Sequence, residues 1–161
     1  MIDEDTKPQA EPLASDSDAS ERGSLNDMLQ ELRILLQGAQ VLTAFLIVLP
    51  FNQSFDSIHA FEKWVYTATF LCSITSLVFF SAPAAHHRLA RPLVDRVLFK
   101  TFATRMIVVG LVLLSFALIL ATQLVVSQVI GAIVSIFVTA FVSLLILIIW
   151  WLFPLTYKEQ L

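Results

Sequence analysis

The sequence predicts an all-α integral membrane protein built as a four-helix bundle, and three observations support this class. Four long apolar stretches divide the 161 residues, at about 34–51, 64–82, 106–126 and 129–153. No charged residue occurs among the 52 residues between Arg105 and Lys158. Nine of the ten Lys and Arg residues fall on one side of a membrane if the chain crosses it four times.

The composition explains why four crossings are expected. The chain is 57% hydrophobic and only 14% charged, with a mean hydropathy of +0.79, whereas soluble domains carry about 25% charged residues. About 20 residues suffice to cross a hydrocarbon core, so the uncharged run after Arg105 must turn back once. The polar cluster at 122–128 predicts the place of that turn, because Thr122, Gln123, Ser127 and Gln128 lie there.

The distribution of basic residues predicts the orientation. Cytoplasmic loops of membrane proteins carry the excess of Lys and Arg, and only Lys63 lies outside if both termini are cytoplasmic. The acidic N-terminus lacks the basic region of a secretory signal peptide, so the first span should be retained. We therefore expect a multi-pass protein of the cell (inner) membrane with both termini in the cytoplasm.

The chain divides into a tail, 1–24, and a transmembrane domain, 25–157. The tail is acidic and poor in large apolar side chains, which predicts a disordered cytoplasmic segment; an acidic arm that docks on a basic partner is the alternative. Ser24 is the expected N-cap of the first helix, since Asp27 follows three residues later. Pro83 is expected to end the second span, because proline lacks a donor for a further helical bond.

A polar stripe is the most unusual pattern of the first span. Its members are spaced by four and three residues and fall within an arc of about 80° on a helix. They are Asn26, Gln30, Arg33, Gln37 and Gln40. Polar groups at membrane depth must face protein or water, so the stripe is either a hydrogen-bonded seam within the bundle or a dimer, or the lining of a cavity or conduction path.

Two further sets of residues are candidates for contacts. A ridge of small residues at intervals of four favours close helix packing, within the bundle or between subunits; it consists of Gly131, Ser135, Thr139 and Ser143. Basic residues around the inner connection, between the second and third spans, are expected to bind anionic lipid headgroups, each contributing about 1 kcal/mol. They are Arg88, Arg91, Arg96, Lys100 and Arg105.

Catalytic and cofactor motifs do not stand out from this composition. Cys72 is the only cysteine, and no phosphate-binding glycine loop is present among the four glycines of the chain. His86 and His87 are adjacent and diverge by about 100° on a helix, which disfavours a shared metal. We therefore expect a protein that is not an enzyme, has no cofactor and binds no nucleic acid, and that acts as an accessory subunit or homo-oligomer through helix–helix contacts. A small oligomeric transporter or pore is the alternative.

Several sequence blocks resemble a bacterial family of small integral membrane proteins known only as a domain of unknown function. The resemblance covers about residues 25–124, and its most specific parts are an ELR–GxQ–PF block and an AP-x-x-x-HR block. The matching segments are 29–33 (LQELR), 37–40 (QGAQ), 44–46 (AFL), 50–51 (PF), 65–69 (VYTAT) and 82–88 (APAAHHR). The resemblance implies a multi-pass topology and a bacterial origin, and no mechanism.

Overall fold

The structure is a computed structural model that describes residues 12–52, 55, 59–89, 96–153 and 156, and these residues are helical except at the connections. The helices are α1 (Pro12–Val48), α2 (Ala60–Leu89), α3 (Arg96–Val129) and α4 (Ala132–Ile146). A single 3-10 turn, Leu49–Phe51, follows α1, and a π-helical segment, Leu147–Leu152, continues α4.

The all-α prediction is confirmed, and so is the number of candidate spans. Four helices are long and apolar enough to cross a membrane: Asp27–Phe51, Ala60–His86, Leu98–Val129 and Ala132–Leu152. The last is the most apolar, with a mean hydropathy of 3.0. Length and composition together indicate a membrane protein.

The helices pack in the order of the chain. α2 contacts α1 on one side and makes its most extensive contact with α3 on the other, while α1 touches α3 over a short stretch only. Among the elements that the structure describes, α4 packs on α3 and on the π-helical segment that continues it, but on neither α1 nor α2. Among the described elements, helices that are neighbours in the chain are therefore the main neighbours in space.

Small residues recur among the buried positions of α2 and α3. The most buried positions of α2 recur at intervals of four and three, and they are Thr69, Ser73, Ser76, Phe80 and Pro83. On α3, buried Ala103, Gly110, Ala117 and Leu124 recur every seven residues. A seven-residue repeat keeps one face of a helix against its partner, and small side chains let two membrane helices approach closely.

An apolar cluster joins the first three helices. Phe80 of α2 is fully buried and forms this cluster together with Leu32 and Ala39 of α1 and Leu114 of α3. Half-buried side chains surround it: Leu35, Leu36, Leu42, Leu77, Ile107, Leu111, Leu118 and Trp150. The cluster fixes which face of α1 is turned inward.

Helix α1 begins at Pro12, earlier than the start predicted at Ser24. Residues 12–24, expected to be a disordered tail, are therefore helical in the structure. Proline suits the first position of a helix because its φ is already helical, and the Leu, Ala, Ser and Glu residues that follow are acceptable helix formers. Residues 1–11 lie outside the described part of the chain.

Pro83 lies inside α2, which continues to Leu89, so the prediction that it ends the second span is wrong. A proline within a helix removes one backbone hydrogen bond, but membrane helices tolerate this loss where neighbouring helices cover the site. Pro83 is fully buried, consistent with such cover. The expected start of the next helix at Pro92 lies outside the described residues.

The chain reverses at Ile130 and Gly131, after the polar cluster at 122–128 that predicted the turn. The cluster belongs to α3, because Thr122 and Ser127 donate their hydroxyl protons to carbonyls of their own helix, those of Leu118 and Leu124. Gly131 has a φ of 111°, a conformation open to glycine and strained for other residues. The conformation of one glycine, and not the polarity of the cluster, places the turn.

Candidate functional site

The polar stripe of α1 lies on the outer surface of the single chain. Gln30, Arg33, Gln37 and Gln40 are all exposed, and the side chain of Asn26 lies outside the described part. The structure does not bring the four described side chains against another helix of the same chain. Within the described part of the chain these four side chains form no buried seam, and pairing of the stripe, within the bundle or across a subunit contact, stays a prediction.

Geometry explains this exposure. The buried face of α1 is formed by Leu32, Ala39, Thr43 and Leu46. At about 100° per residue, the centre of the stripe lies about 130° around the helix from the centre of that face. Packing of that face against the other helices thus turns the stripe outward.

Gln123 of α3 joins α4 through two hydrogen bonds, and these involve two of the four residues of the predicted ridge. Gln123 Nε2 donates to Ser135 Oγ over 3.0 Å, and Thr139 Oγ1 donates to Gln123 Oε1 over 2.9 Å. Ser135 is fully buried and donates its own proton to the Ala132 carbonyl. We call these three residues the Gln123 clamp; it fixes the register of α4 on α3.

The other two ridge residues have different surroundings. Gly131 forms the turn before α4, and no atom lies within 4 Å of a β-carbon built on it. Ser143 lines an open groove between α3 and α4. The structure therefore brings Ser135 and Thr139 together with α3, and it places the ends of the ridge at a turn and at a groove.

Sequence reasoning missed a polar contact between α1 and α2. Thr43 Oγ1 and Ser73 Oγ are 2.7 Å apart in the buried interface, and Thr43 Oγ1 also lies 2.8 Å from the Ala39 carbonyl. Further along, Tyr66 donates its hydroxyl proton to the Leu46 carbonyl over 2.9 Å. The four-and-three spacing of Thr69, Ser73 and Ser76 was the sequence signal that could have indicated this face.

The structure describes the side chains of two of the five basic residues expected to bind lipid. Lys100 and Arg105 are exposed and line one shallow depression of about 360 Å³ together with Thr101 and Thr104. The side chains of the other three, Arg88, Arg91 and Arg96, lie outside the described part. Positive charge is thus gathered near the start of α3.

An open groove runs between α3 and α4 and has a volume of about 730 Å³. Its α3 wall includes Val112 and Ile119, and its α4 wall includes Ala140 and Leu144. Trp151 of the π-helical segment lines it as well. The walls are almost wholly apolar, so the groove offers packing contacts and few polar ones.

Among the described residues, no group of three or more His, Cys, Asp or Glu side chains could hold a metal ion. His86 instead lies beside two aromatic rings of α3, with ring centroids 5.8 Å from Phe99 and 5.0 Å from Phe102. This histidine packs at the junction of α2 and α3.

The comparisons with known proteins assign the chain to a family without giving it an activity. No curated protein and no solved structure matches it significantly. One family model matches residues 16–154, which include all four candidate spans. The chain therefore belongs to a family of unknown function (DUF6328).

Proposed function

We propose that this protein acts through helix–helix contacts within a membrane, as a homo-oligomer or as an accessory subunit of another membrane protein. The interface is the outward polar stripe of α1: Gln30, Arg33, Gln37 and Gln40. The charge pattern supports a cytoplasmic location for both termini, and the resemblance of the first three spans supports a bacterial cell membrane.

The depth of the stripe is the observation that carries this proposal. Gln40 lies 11 residues before Phe51, where the first candidate span ends. At about 1.5 Å per residue, this separation is about 17 Å, or roughly half of a hydrocarbon core about 30 Å thick. Gln37 lies one helical turn nearer the other surface. Both exposed amides are therefore at hydrocarbon depth.

An amide in lipid has no water to bond with. Each unpaired amide costs about 1–3 kcal/mol, and two of them on one helix give a strong preference for a partner surface. Arg33 differs, because a long basic side chain near the end of a span can reach the headgroups. Gln37 and Gln40 are thus the residues that require a partner.

A second copy of the chain suits this surface. A glutamine amide both donates and accepts hydrogen bonds, so identical stripes related by a two-fold axis can satisfy one another. The four-and-three spacing continues outward through exposed Ala44 and Ile47. This is the repeat by which two parallel helices pair along their length.

A small oligomeric transporter or pore is the alternative use of the same surface. In a ring of several copies the stripes would line a polar path. The four apolar stretches of the sequence hold no Asp, Glu or Lys, which disfavours ion-coupled transport. The polar stripe alone favours this alternative, so paired contact is the preferred function.

Replacing Gln37 and Gln40 together by leucine tests the proposal. We expect the native chain in mild detergent to have at least twice the 18.0 kDa mass of one chain, measured by native mass spectrometry, and the double variant to be monomeric. The matched control is Gln128→Leu, another exposed glutamine near the end of α3. It should keep the native mass.

The same preparation also tests whether the protein is an accessory subunit of another membrane protein. If the native chain is monomeric but retains a second membrane protein in fixed ratio, loss of that protein from the double variant supports an accessory subunit. If mass and retained proteins are the same in native and variant chains, the stripe is not an interface. Ion flux into liposomes that depends on the stripe would support the pore instead.

A further inference from the structure

The depression at Lys100 and Arg105 and the apolar groove lie on one side of α3. Thr101, Arg105, Val112 and Ile119 fall within an arc of about 40° at about 100° per residue. The first two line the depression and the last two line the groove. Arg105 and the apolar groove thus follow one another along a single helix face, with Lys100 at the edge of the depression, about 140° around the helix from Arg105.

We propose that α3 and α4 bind one anionic phospholipid, whose phosphate lies at the basic depression and whose acyl chain lies in the groove. This site is separate from the stripe on α1, and its existence does not depend on the proposed oligomer. It requires only the packing of α4 on α3 that the Gln123 clamp holds.

The length of the combined site matches one leaflet. Arg105 and Ile119 are 14 residues apart on α3, or about 21 Å at about 1.5 Å per residue. Half of a hydrocarbon core about 30 Å thick, with its headgroup layer of about 5–7 Å, has the same extent. A lipid with its phosphate at Arg105 would therefore end its chain near Ile119.

The headgroup end offers positive charge. Lys100 and Arg105 are both exposed, and their ammonium and guanidinium groups can donate hydrogen bonds to phosphate oxygens. Thr104 Oγ1 donates its proton to the Lys100 carbonyl over 2.9 Å. The basic side chains, and not this hydroxyl, therefore supply donors for the phosphate.

The groove offers apolar walls for an acyl chain, and its volume is about 730 Å³. The Gln123 clamp joins α3 and α4 just beyond Ile119, at one end of the groove. Ser115 lines the groove, but it donates its proton to the Leu111 carbonyl of its own helix. The π-helical segment supplies Leu147 and Trp151, and such segments are rare and often found at functional sites.

Charge and length favour a lipid over a helix of a second copy. A parallel second copy that packed with the same face would bring its own Lys100 and Arg105 to the same region, where like charges repel. The groove follows α3 for only about 10 Å, from Val112 to Ile119, at about 1.5 Å per residue, which is much shorter than a membrane span. A phosphate without an acyl chain would leave the apolar groove unused.

Binding of defined lipids to the full chain, measured by native mass spectrometry in mild detergent, tests the site. The probes are long-chain phosphatidylglycerol, long-chain phosphatidylcholine, a short-chain phosphatidylglycerol and inorganic phosphate. We expect one long-chain phosphatidylglycerol to bind most tightly. A basic residue near the surface contributes enough that Arg105→Gln should weaken this binding about fivefold and leave phosphatidylcholine binding unchanged.

The groove is tested by Ala140→Phe, which fills it without touching the charges. The variant should bind both long-chain lipids more weakly than the native chain does, and it should bind the short-chain lipid as tightly. Ala132→Phe is the matched control, because Ala132 is exposed at the other end of α4; it should bind like the native chain. Arg105→Gln should also keep the native melting temperature, so that lost binding is not lost folding.

Three results would overturn the proposal. Equal binding of the two long-chain lipids by the native and Arg105→Gln chains would mean that the depression holds no headgroup. Inorganic phosphate bound as tightly as the lipid would mean an anion site without a lipid. A change of oligomeric mass in Ala140→Phe with lipid binding intact would mean that a second copy fills the groove.

Discussion

The ring of Phe80 lies where a side chain at position 110 would have to be. A β-carbon built on Gly110 would be 2.6 Å from Phe80 Cε1 and 2.8 Å from Phe80 Cδ1. Real carbon atoms do not approach so closely, and Phe80 is fully buried at the centre of the apolar cluster. The absence of a side chain at Gly110 therefore sets the distance between α2 and α3.

Gly110→Ala should destabilise the protein, because a buried ring in a close-packed interface has little room to move. Overpacking of this kind costs about 1–3 kcal/mol. The free energy of unfolding, measured by denaturant titration in mixed micelles, should fall by that amount. Gly38→Ala is the control, since no atom lies within 4 Å of its β-carbon position. Equal stability of the two variants would show that Phe80 moves aside freely.

Gly131→Ala should also destabilise the protein, but for a different reason. No atom would clash with the new methyl group, yet the φ of 111° is costly for any residue with a side chain, by about 1–3 kcal/mol. The melting temperature in detergent should fall relative to native protein. A variant as stable as the native chain would mean that the turn between α3 and α4 can relax to a negative φ.

Gln123→Leu should loosen α4. The substitution removes both hydrogen bonds of the Gln123 clamp, to Ser135 and to Thr139. Interhelical hydrogen bonds in membranes average about 0.6 kcal/mol, so the free energy of unfolding should fall by about 1 kcal/mol. Because α4 contacts no helix but α3 among the described elements, limited proteolysis should cut the connection at 130–131 faster.

Gln128→Leu is the control for the clamp. Gln128 is exposed one and a half turns further along α3, and its amide is not among the three groups of the clamp. This variant should keep native stability and native resistance to proteolysis. If both leucine variants behave alike, polarity near the end of α3 matters and the specific contacts with α4 do not.

The hydropathy and the length of the apolar stretches were sufficient to predict the number of spans, since both can be read directly from the sequence. The position of the last turn was not predictable in this way. Polar residues at 122–128 resembled a connection, but their side chains bond within α3 and across to α4. Gly131 was a visible signal, and the backbone conformation at that one residue decides the turn.

A single sequence also does not predict which face of a helix packs against its neighbours. The spacing of Gln37 and Gln40 correctly places them on one side of α1, but whether that side meets another helix depends on competing faces. The face with Leu32 and Ala39 packs into the cluster of Phe80 instead. For Pro83, the helix-ending rule of soluble proteins failed because the proline is buried within α2.

The orientation in the membrane follows from charge alone and needs a direct measurement. Single cysteines at His59 and Thr101 provide it, in a background where the only native cysteine is removed by Cys72→Ser. Both positions are exposed, one before α2 and one in the first turns of α3. A membrane-impermeant thiol reagent applied to intact cells should label His59→Cys and leave Thr101→Cys unlabelled until the cells are opened.

The physical reason is the clustering of positive charge at one end of α3. Lys100 and Arg105 lie within its first turns, and basic residues that flank a span are retained in the cytoplasm. Lys63, four residues after His59, is the one basic residue expected on the opposite side of the membrane. Labelling of Thr101→Cys in intact cells would invert the topology, and it would also move the proposed phospholipid to the outer leaflet. Labelling of both positions from one side would mean that α2 does not cross the membrane.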